Sequence, residues 1–210
     1  MSDDNLQKVV THGIFSIDGE DFAVDNNIWI VGDDREVVVI DAAHEAAPIV
    51  AAVGARRVAG ILCTHGHNDH INVAVELAEA LDAPVALHPD DRMLWDTVHP
   101  DHEPHVALAE GQRIKAGGVT LVAMHTPGHS PGGVSFYDST RSRVFAGDTL
   151  FRGGPGATGR SFSSFPTIIE SIRTRLLTLP SGTVVHTGHG DDTTIADEAP
   201  HLDEWIARGH

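Results

Sequence analysis

The segment Thr64-His65-Gly66-His67-Asn68-Asp69-His70 sets three histidines and an aspartate within six residues. In an extended segment alternate side chains share a face, so His65 and His67 reach one point. Asp69 and His70 turn toward a second point as the chain bends into a helix. Imidazole nitrogen and carboxylate oxygen ligate zinc at roughly 2.0–2.2 Å, and a catalytic ion is held by fewer protein groups than would saturate it. Two divalent ions about 3.5–4 Å apart share a water, lower its pKa toward 7 and polarise a scissile carbonyl. The chemistry on offer is hydrolysis of an activated carbonyl, and the plain alternative is a histidine-rich surface turn.

The elements around this segment are those that would position it. An apolar run at 58–63 reads as a buried strand entering the turn, and 73–81 reads as the helix leaving it, with Val73, Leu77 and Leu81 as a core-facing stripe. Further strands are expected at 85–88, 119–124, 134–137, 143–146 and 183–186, and helices at 46–53, 89–96, 165–179 and 195–207. Upstream lie a short strand at 14–17 and a hairpin pairing 27–31 with 36–40. Three later turns at strand ends each carry one more ligand type: His129 in Thr126-Pro127-Gly128-His129, Asp148 in Gly147-Asp148-Thr149, and His189 in Gly188-His189-Gly190. Ligands at successive turns on one sheet edge converge in space.

Other polar residues have quieter readings. His125 and His186 lie beside strands and are expected to support the ligands or pack. Asp41, closing a strand, either hydrogen-bonds a ligand histidine or caps a turn. The stretch 97–110, with His99, His102 and His105, reads as a solvated loop, because no strand or helix fixes those rings. The glycine-rich run 152–160 lacks the Gly-Lys-Ser/Thr ending of a phosphate-binding loop.

Composition narrows the classes. At 210 residues one core and a single domain over 1–210 are expected. The formal charge of −16 repels nucleic-acid phosphates and anionic lipid, so neither nucleic acid nor membrane is an expected partner. No apolar stretch approaches a membrane span, and the start Met1-Ser2-Asp3-Asp4 is acidic, so a cytoplasmic location is expected. The single cysteine, Cys63, ends an apolar run and reads as a buried hydrophobe.

Taken in order, the 64–70 segment, Thr126-Pro127-Gly128-His129, Gly147-Asp148-Thr149 and Gly188-His189-Gly190 resemble the metallo-β-lactamase-fold hydrolases, and within them the glyoxalase II-like branch. The resemblance implies an α/β fold, a four-layer αβ/βα sandwich with a binuclear metal centre on one edge. It implies a first ion held by His65, His67 and His129, a second by Asp69, His70 and His189, and Asp148 bridging them. Zinc is the expected metal, with iron or manganese as alternatives. Asp69 and Asp148 would take part in catalysis as well as ligation.

The same resemblance implies cleavage of a thioester of a low-molecular-weight thiol, of the S-acyl glutathione or S-acyl/S-formyl mycothiol type, by a hydroxide bridging the metals. Gly159-Arg160-Ser161-Phe162 resembles the loop that meets the thiol moiety, making Arg160, together with Arg152, the expected substrate contacts. A single domain without the extra C-terminal helical domain of glyoxalase II is expected, with only a closing helix after His189. Persulfide oxidation at a single iron held by His65, His129 and Asp148 is the alternative, as is hydrolysis of a lactone or other ester.

Overall fold

The computed structural model of the chain describes residues 6–209. The acidic start Met1-Ser2-Asp3-Asp4 lies outside the described residues. Among these residues a first six-stranded sheet takes its strands in sequence order: β1 (Leu6–Ile17), β2 (Glu20–Gly32), β3 (Glu36–Ile40), β4 (Arg57–Leu62), β5 (Val85–Leu87) and β6 (Val106–Ala107). The first three pair antiparallel through tight turns. From β3 to β6 the pairing is parallel, which demands crossovers. These are supplied by α1 (Ala46–Val53), by α2 (Asn68–Ile71) with α3 (Ala74–Leu81), and by α4 (Arg92–Val98).

The second sheet contains β7 (Arg113–Ala116), β8 (Val119–His125), β9 (Val134–Asp138) and β10 (Arg143–Gly147). After it come a small hairpin, β11 (Leu150–Phe151) and β12 (Gly154–Pro155), and then α5 (Phe165–Ser171). β13 (Val184–Thr187) and β14 (Thr193–Thr194) return to the second sheet, giving the order β14-β13-β10-β9-β8-β7. The chain closes with α6 (Ile195–Glu198) and α7 (Leu202–Arg208).

Period-two alternation sorts the side chains into three cores. Ile28, Ile30, Val37 and Val39 face Ile49, Val53 and Leu77 of α1 and α3. Their alternates Trp29, Val31, Val38 and Ile40 face the second sheet, meeting Leu121, Phe136 and Phe145. On the far side of that sheet Val144, Ala146 and Val185 pack against Ile168, Ile172, Leu176 and Trp205. Strands buried on both faces are apolar at every position, which is why β3 reads Val-Val-Val-Ile. The result is the four-layer αβ/βα sandwich.

Several elements differ from expectation for local reasons. β1 runs over twelve residues because it pairs with β2 along its whole length, far beyond 14–17. The expected helix at 165–179 is α-helical only to Ser171 and continues as a π-turn through Ile172–Leu176. The closing helix breaks at Ala199–His201, where Pro200 has no N–H to give the ladder. β6 and β7 are too short and too mixed to announce themselves. No helix of the described residues is long and apolar enough to cross a membrane.

Candidate metal centre

Parallel pairing brings the ends of β3 and β4 side by side in one sheet and those of β10 and β13 side by side in the other. The chain leaves β4 through Cys63 and Thr64 into His65, Gly66 and His67, and α2 begins at once with Asn68, Asp69 and His70. Asp148 follows β10, His189 follows β13, and His129 follows β8. Four of these seven residues, His65, His67, Asp69 and His70, are almost wholly buried, and His129 and Asp148 are 9% exposed; the His189 side chain is the most open at 24%.

Three imidazole nitrogens converge at the first position. His67 Nδ1 stands 3.0 Å from His65 Nε2 and 2.9 Å from His129 Nε2. The far side of each ring decides what these nitrogens carry. His129 Nδ1 donates to the Ala157 carbonyl at 2.8 Å, so the neutral ring presents a bare lone pair at Nε2. Thr64 Oγ1 gives its one proton to Asp41 and so accepts from His65 Nδ1 at 3.1 Å, leaving His65 Nε2 bare as well. Two lone pairs facing one ring nitrogen cannot both be satisfied by a single N–H. The group fits an electron-pair acceptor.

The second position is built the same way. His70 Nδ1 donates to Asp41 Oδ2 at 2.9 Å, and His189 Nδ1 donates to the Asp25 carbonyl at 2.7 Å. Their Nε2 atoms therefore face each other at 3.2 Å, with Asp69 Oδ2 at 3.5 Å from one and 3.3 Å from the other. Asn26 Nδ2 donates to Asp69 Oδ2 at 3.1 Å, and the Asn26 carbonyl oxygen faces His44 Nε2 at 2.8 Å.

Asp148 lies between the two groups. Its Oδ2 is 3.6 Å from His129 Nε2 and 3.3 Å from His189 Nε2, while Oδ1 is 3.4 Å from His70 Nε2. That Oδ1 is buried without a hydrogen-bond partner. A bare carboxylate oxygen in such a place calls for a cation. Gly188 makes room for it, because a Cβ there would run into Asp148 Oδ1 and stand 2.8 Å from His70 Cε1.

The electrostatics divide the groups. Burial, joined by neighbouring imidazoles, holds His65 well below the usual histidine value, and burial with His129 pushes His67 down to about 3. Both rings are thus held toward the neutral form, the form that offers a lone pair. Burial also opposes charge on His70 and His189, yet Asp148 and Asp69 outweigh it, raising His70 well above its usual value and His189 to about 10. Against burial, His70 and His189 in turn hold Asp69 down to about 2 and Asp148 well below the carboxylate range. The second group demands positive charge.

All seven expected ligand residues thus meet at one edge. Arg152 and Arg160 do not join them. Arg152 binds Asp191 and the Asp192 carbonyl, and Arg160 pairs with Glu20 and lies 5.6 Å over the Phe22 ring. His99 Nε2 meets the Ile71 carbonyl and His105 Nδ1 accepts from Val85 N; with His102, these rings form no ligand group among the described residues. His186 binds Asp192 and packs on Trp29, and His125 meets the Pro131 carbonyl.

The sequence reading missed two supports. Asn26 sits in a strand and carries no local signal. Asp91 is wholly buried, and its carboxylate accepts from Gly66 N at 2.8 Å, Ser130 Oγ at 2.7 Å and Gly132 N at 2.5 Å. It thereby ties the loop of His65 and His67 to the loop of His129.

A cleft of about 190 Å³ beside His67 is lined by Ile17, Asp18, Leu94, Ser161 and Phe162 among others. A larger hollow of about 580 Å³ lies between α3 and residues 101–105, away from the seven.

Known proteins resemble this chain over most of its length. The chain is 30% identical to the hydroxyacylglutathione hydrolase GloC of Haemophilus influenzae over 81% of its length and 87% of the relative's. Among solved structures it matches TTHA1623 in a di-iron-bound form at a TM-score of 0.76 and 36% identity, covering 84% of this chain and 93% of that one. It also matches the B3 metallo-beta-lactamase BLEG-1 at 0.77 and 27%, covering 91% and 98%. The profile of the metallo-beta-lactamase superfamily spans residues 22–189, from β2 through the last of the seven residues, and the chain belongs to that superfamily.

Proposed function

We propose that this chain hydrolyses a thioester of a low-molecular-weight thiol at a binuclear centre. In this reading His65, His67 and His129 hold one ion, Asp69, His70 and His189 hold the other, and Asp148 serves both. The observation that carries it is the place of Asp148, one carboxylate oxygen of which faces nitrogens of both groups. When two divalent ions are bound there, they supply a nucleophile from a shared water near neutral pH and polarise the substrate carbonyl. Zinc is the proposed metal, and the di-iron form of TTHA1623 supports iron as the other candidate.

The chain's own residues do the rest. Asp41, the Ala157 carbonyl and the Asp25 carbonyl each fix one imidazole in the tautomer that offers its lone pair inward. The cleft beside His67 would seat part of the substrate. At its rim Ser161 binds Asp18 and Arg160 pairs with Glu20, so the loop after Asp148 leans on the β1–β2 turn. Arg160 is placed to exchange Glu20 for an anionic group of the thiol, whereas Arg152 would have to leave Asp191. The name of the Haemophilus relative supports the thioester class.

A second reading is persulfide oxidation at a single iron held by His65, His129 and Asp148; TTHA1623 holds iron too, but in a di-iron form. A panel of S-acyl glutathione and S-acyl mycothiol-type thioesters, assayed for free thiol under air and under argon, separates the two. Thiol release independent of oxygen is expected. Absence of release, with oxygen consumed on a persulfide, would favour the second reading, and rapid nitrocefin turnover would move the substrate to β-lactams.

A further inference from the structure

A second ligand cluster lies outside the seven residues. His88 follows β5 and His125 ends β8, so each sits at the end of an inner strand, one from each sheet. Their rings lie face to face, with centroids 4.2 Å apart and planes 10° from parallel. Two imidazolium cations would repel in that arrangement, so the stack holds at least one neutral ring. Burial, followed by the neighbouring His125, holds His88 below the usual histidine value.

The hydrogen bonds show how each ring is held. His125 Nε2 donates to the Pro131 carbonyl at 3.0 Å, which leaves the lone pair of the neutral ring on Nδ1. His88 Nδ1 accepts a long bond, 3.3 Å, from Asp90 N and stands 3.8 Å from Asp90 Oδ2. The Asp90 side chain is 59% exposed and free to swing. One donor atom from each of His88, Asp90 and His125 lies within 4.8 Å of the other two. Two nitrogens on one zinc ion, each at roughly 2.0–2.1 Å, stand about 3.4 Å apart at a tetrahedral angle, and each ring holds the ion near its own plane, so closing the group takes a turn of one ring out of the stack as well as an approach of roughly 1–1.5 Å.

We propose that His88, Asp90 and His125 form a separate surface site for a divalent transition-metal ion. Two imidazoles and one carboxylate select zinc, nickel or copper over magnesium or calcium, which favour all-oxygen sets. Waters complete the shell on the exposed side. Of the nearby cations, Arg92 is paired with Asp96 and Glu103, and Arg175 with Glu110. The Asp90 side chain faces outward, whereas Asp91, the next residue, turns inward to Gly66, Ser130 and Gly132.

The test counts ions beyond those the protein retains after zinc loading and exchange into metal-free buffer. Calorimetric titration of that protein with further Zn²⁺ is expected to show one additional, weaker equivalent. His125→Ala should abolish it, and Asp90→Asn should weaken it by more than about tenfold, the loss known even for groups one shell removed from a metal. The retained ions should be unchanged in number in every protein, whatever that number is. If His125→Ala fails to fold by circular dichroism, His88→Gln takes its place beside Asp90→Asn. Absence of an additional equivalent in the wild type, or its persistence in the variants as on any surface histidine, would overturn the site.

Discussion

The Asp41 carboxylate stands 2.9 Å from Nδ1 of His70, and both side chains are almost completely buried. The same carboxylate accepts from Thr64 N at 2.7 Å and Thr64 Oγ1 at 2.9 Å. Thr64 in turn accepts from His65, so one aspartate orients a ring in each metal position. Its backbone takes φ 65, a left-handed value that a non-glycine residue adopts at a cost. Of the two expected roles for Asp41, the hydrogen bond to a histidine of the group, His70, is the one observed.

Replacing Asp41 removes the group that sets both tautomers. Asp41→Ala is expected to lower metal affinity or turnover by about 10–100-fold, the usual cost of losing such an outer partner. Competition with a chromophoric chelator measures it, and an unchanged affinity together with unchanged turnover would contradict the role.

Asp91 is the corresponding support for His129. Asp91→Ala leaves Gly66 N, Gly132 N and the Ser130 hydroxyl without their buried acceptor and should cost roughly 2–4 kcal/mol of stability. Thermal unfolding of the metal-loaded variant checks this. Asn in its place keeps one acceptor oxygen, so Asp91→Asn should fall between wild type and Asp91→Ala.

The metal-free protein should respond to pH through His189. Its folded value, raised to about 10 from 6.5, contributes stability fully present below 6.5 and lost as pH rises through about 10. Melting temperature of chelator-treated protein should therefore fall between neutral pH and about 10, more steeply than in His189→Gln. Equal slopes in the two proteins would contradict the assignment. Metal uptake near pH 7 should release protons, because ligands bind unprotonated.

Arg160→Ala should raise KM for the best thioester and spare kcat, if the arginine makes a contact common to ground and transition states. Steady-state kinetics decide it. A change confined to kcat would remove Arg160 from substrate binding.

The parts of the site legible in the sequence were those with a local signature. His65, His67, Asp69 and His70 announce themselves by spacing, and Asp148 and His189 by their place after short apolar strands. Asp91 looks like either of the two acidic residues in Asp90-Asp91-Arg92, and only the folded chain distinguishes the inward carboxylate from the outward one. Asn26 belongs to β2 and meets Asp69 across 43 residues, a contact no local pattern encodes. In the fold, alternation and turns located β3, β4, β8, β9, β10 and β13 and the pairing of β2 with β3, but only the ends of the long strands β1 and β2; the rest of that pair, like β6, β7 and the π-turn, owes its form to neighbours in space.

The central claim, a binuclear centre sharing Asp148, is tested most directly by elemental analysis of purified protein after exchange into metal-free buffer, set beside Asp148→Ala prepared identically. The account predicts two tightly held divalent ions per chain in the wild type, and in Asp148→Ala a loss of at least one with turnover reduced more than about a hundredfold. A single retained iron per chain, undiminished in Asp148→Ala, would contradict it.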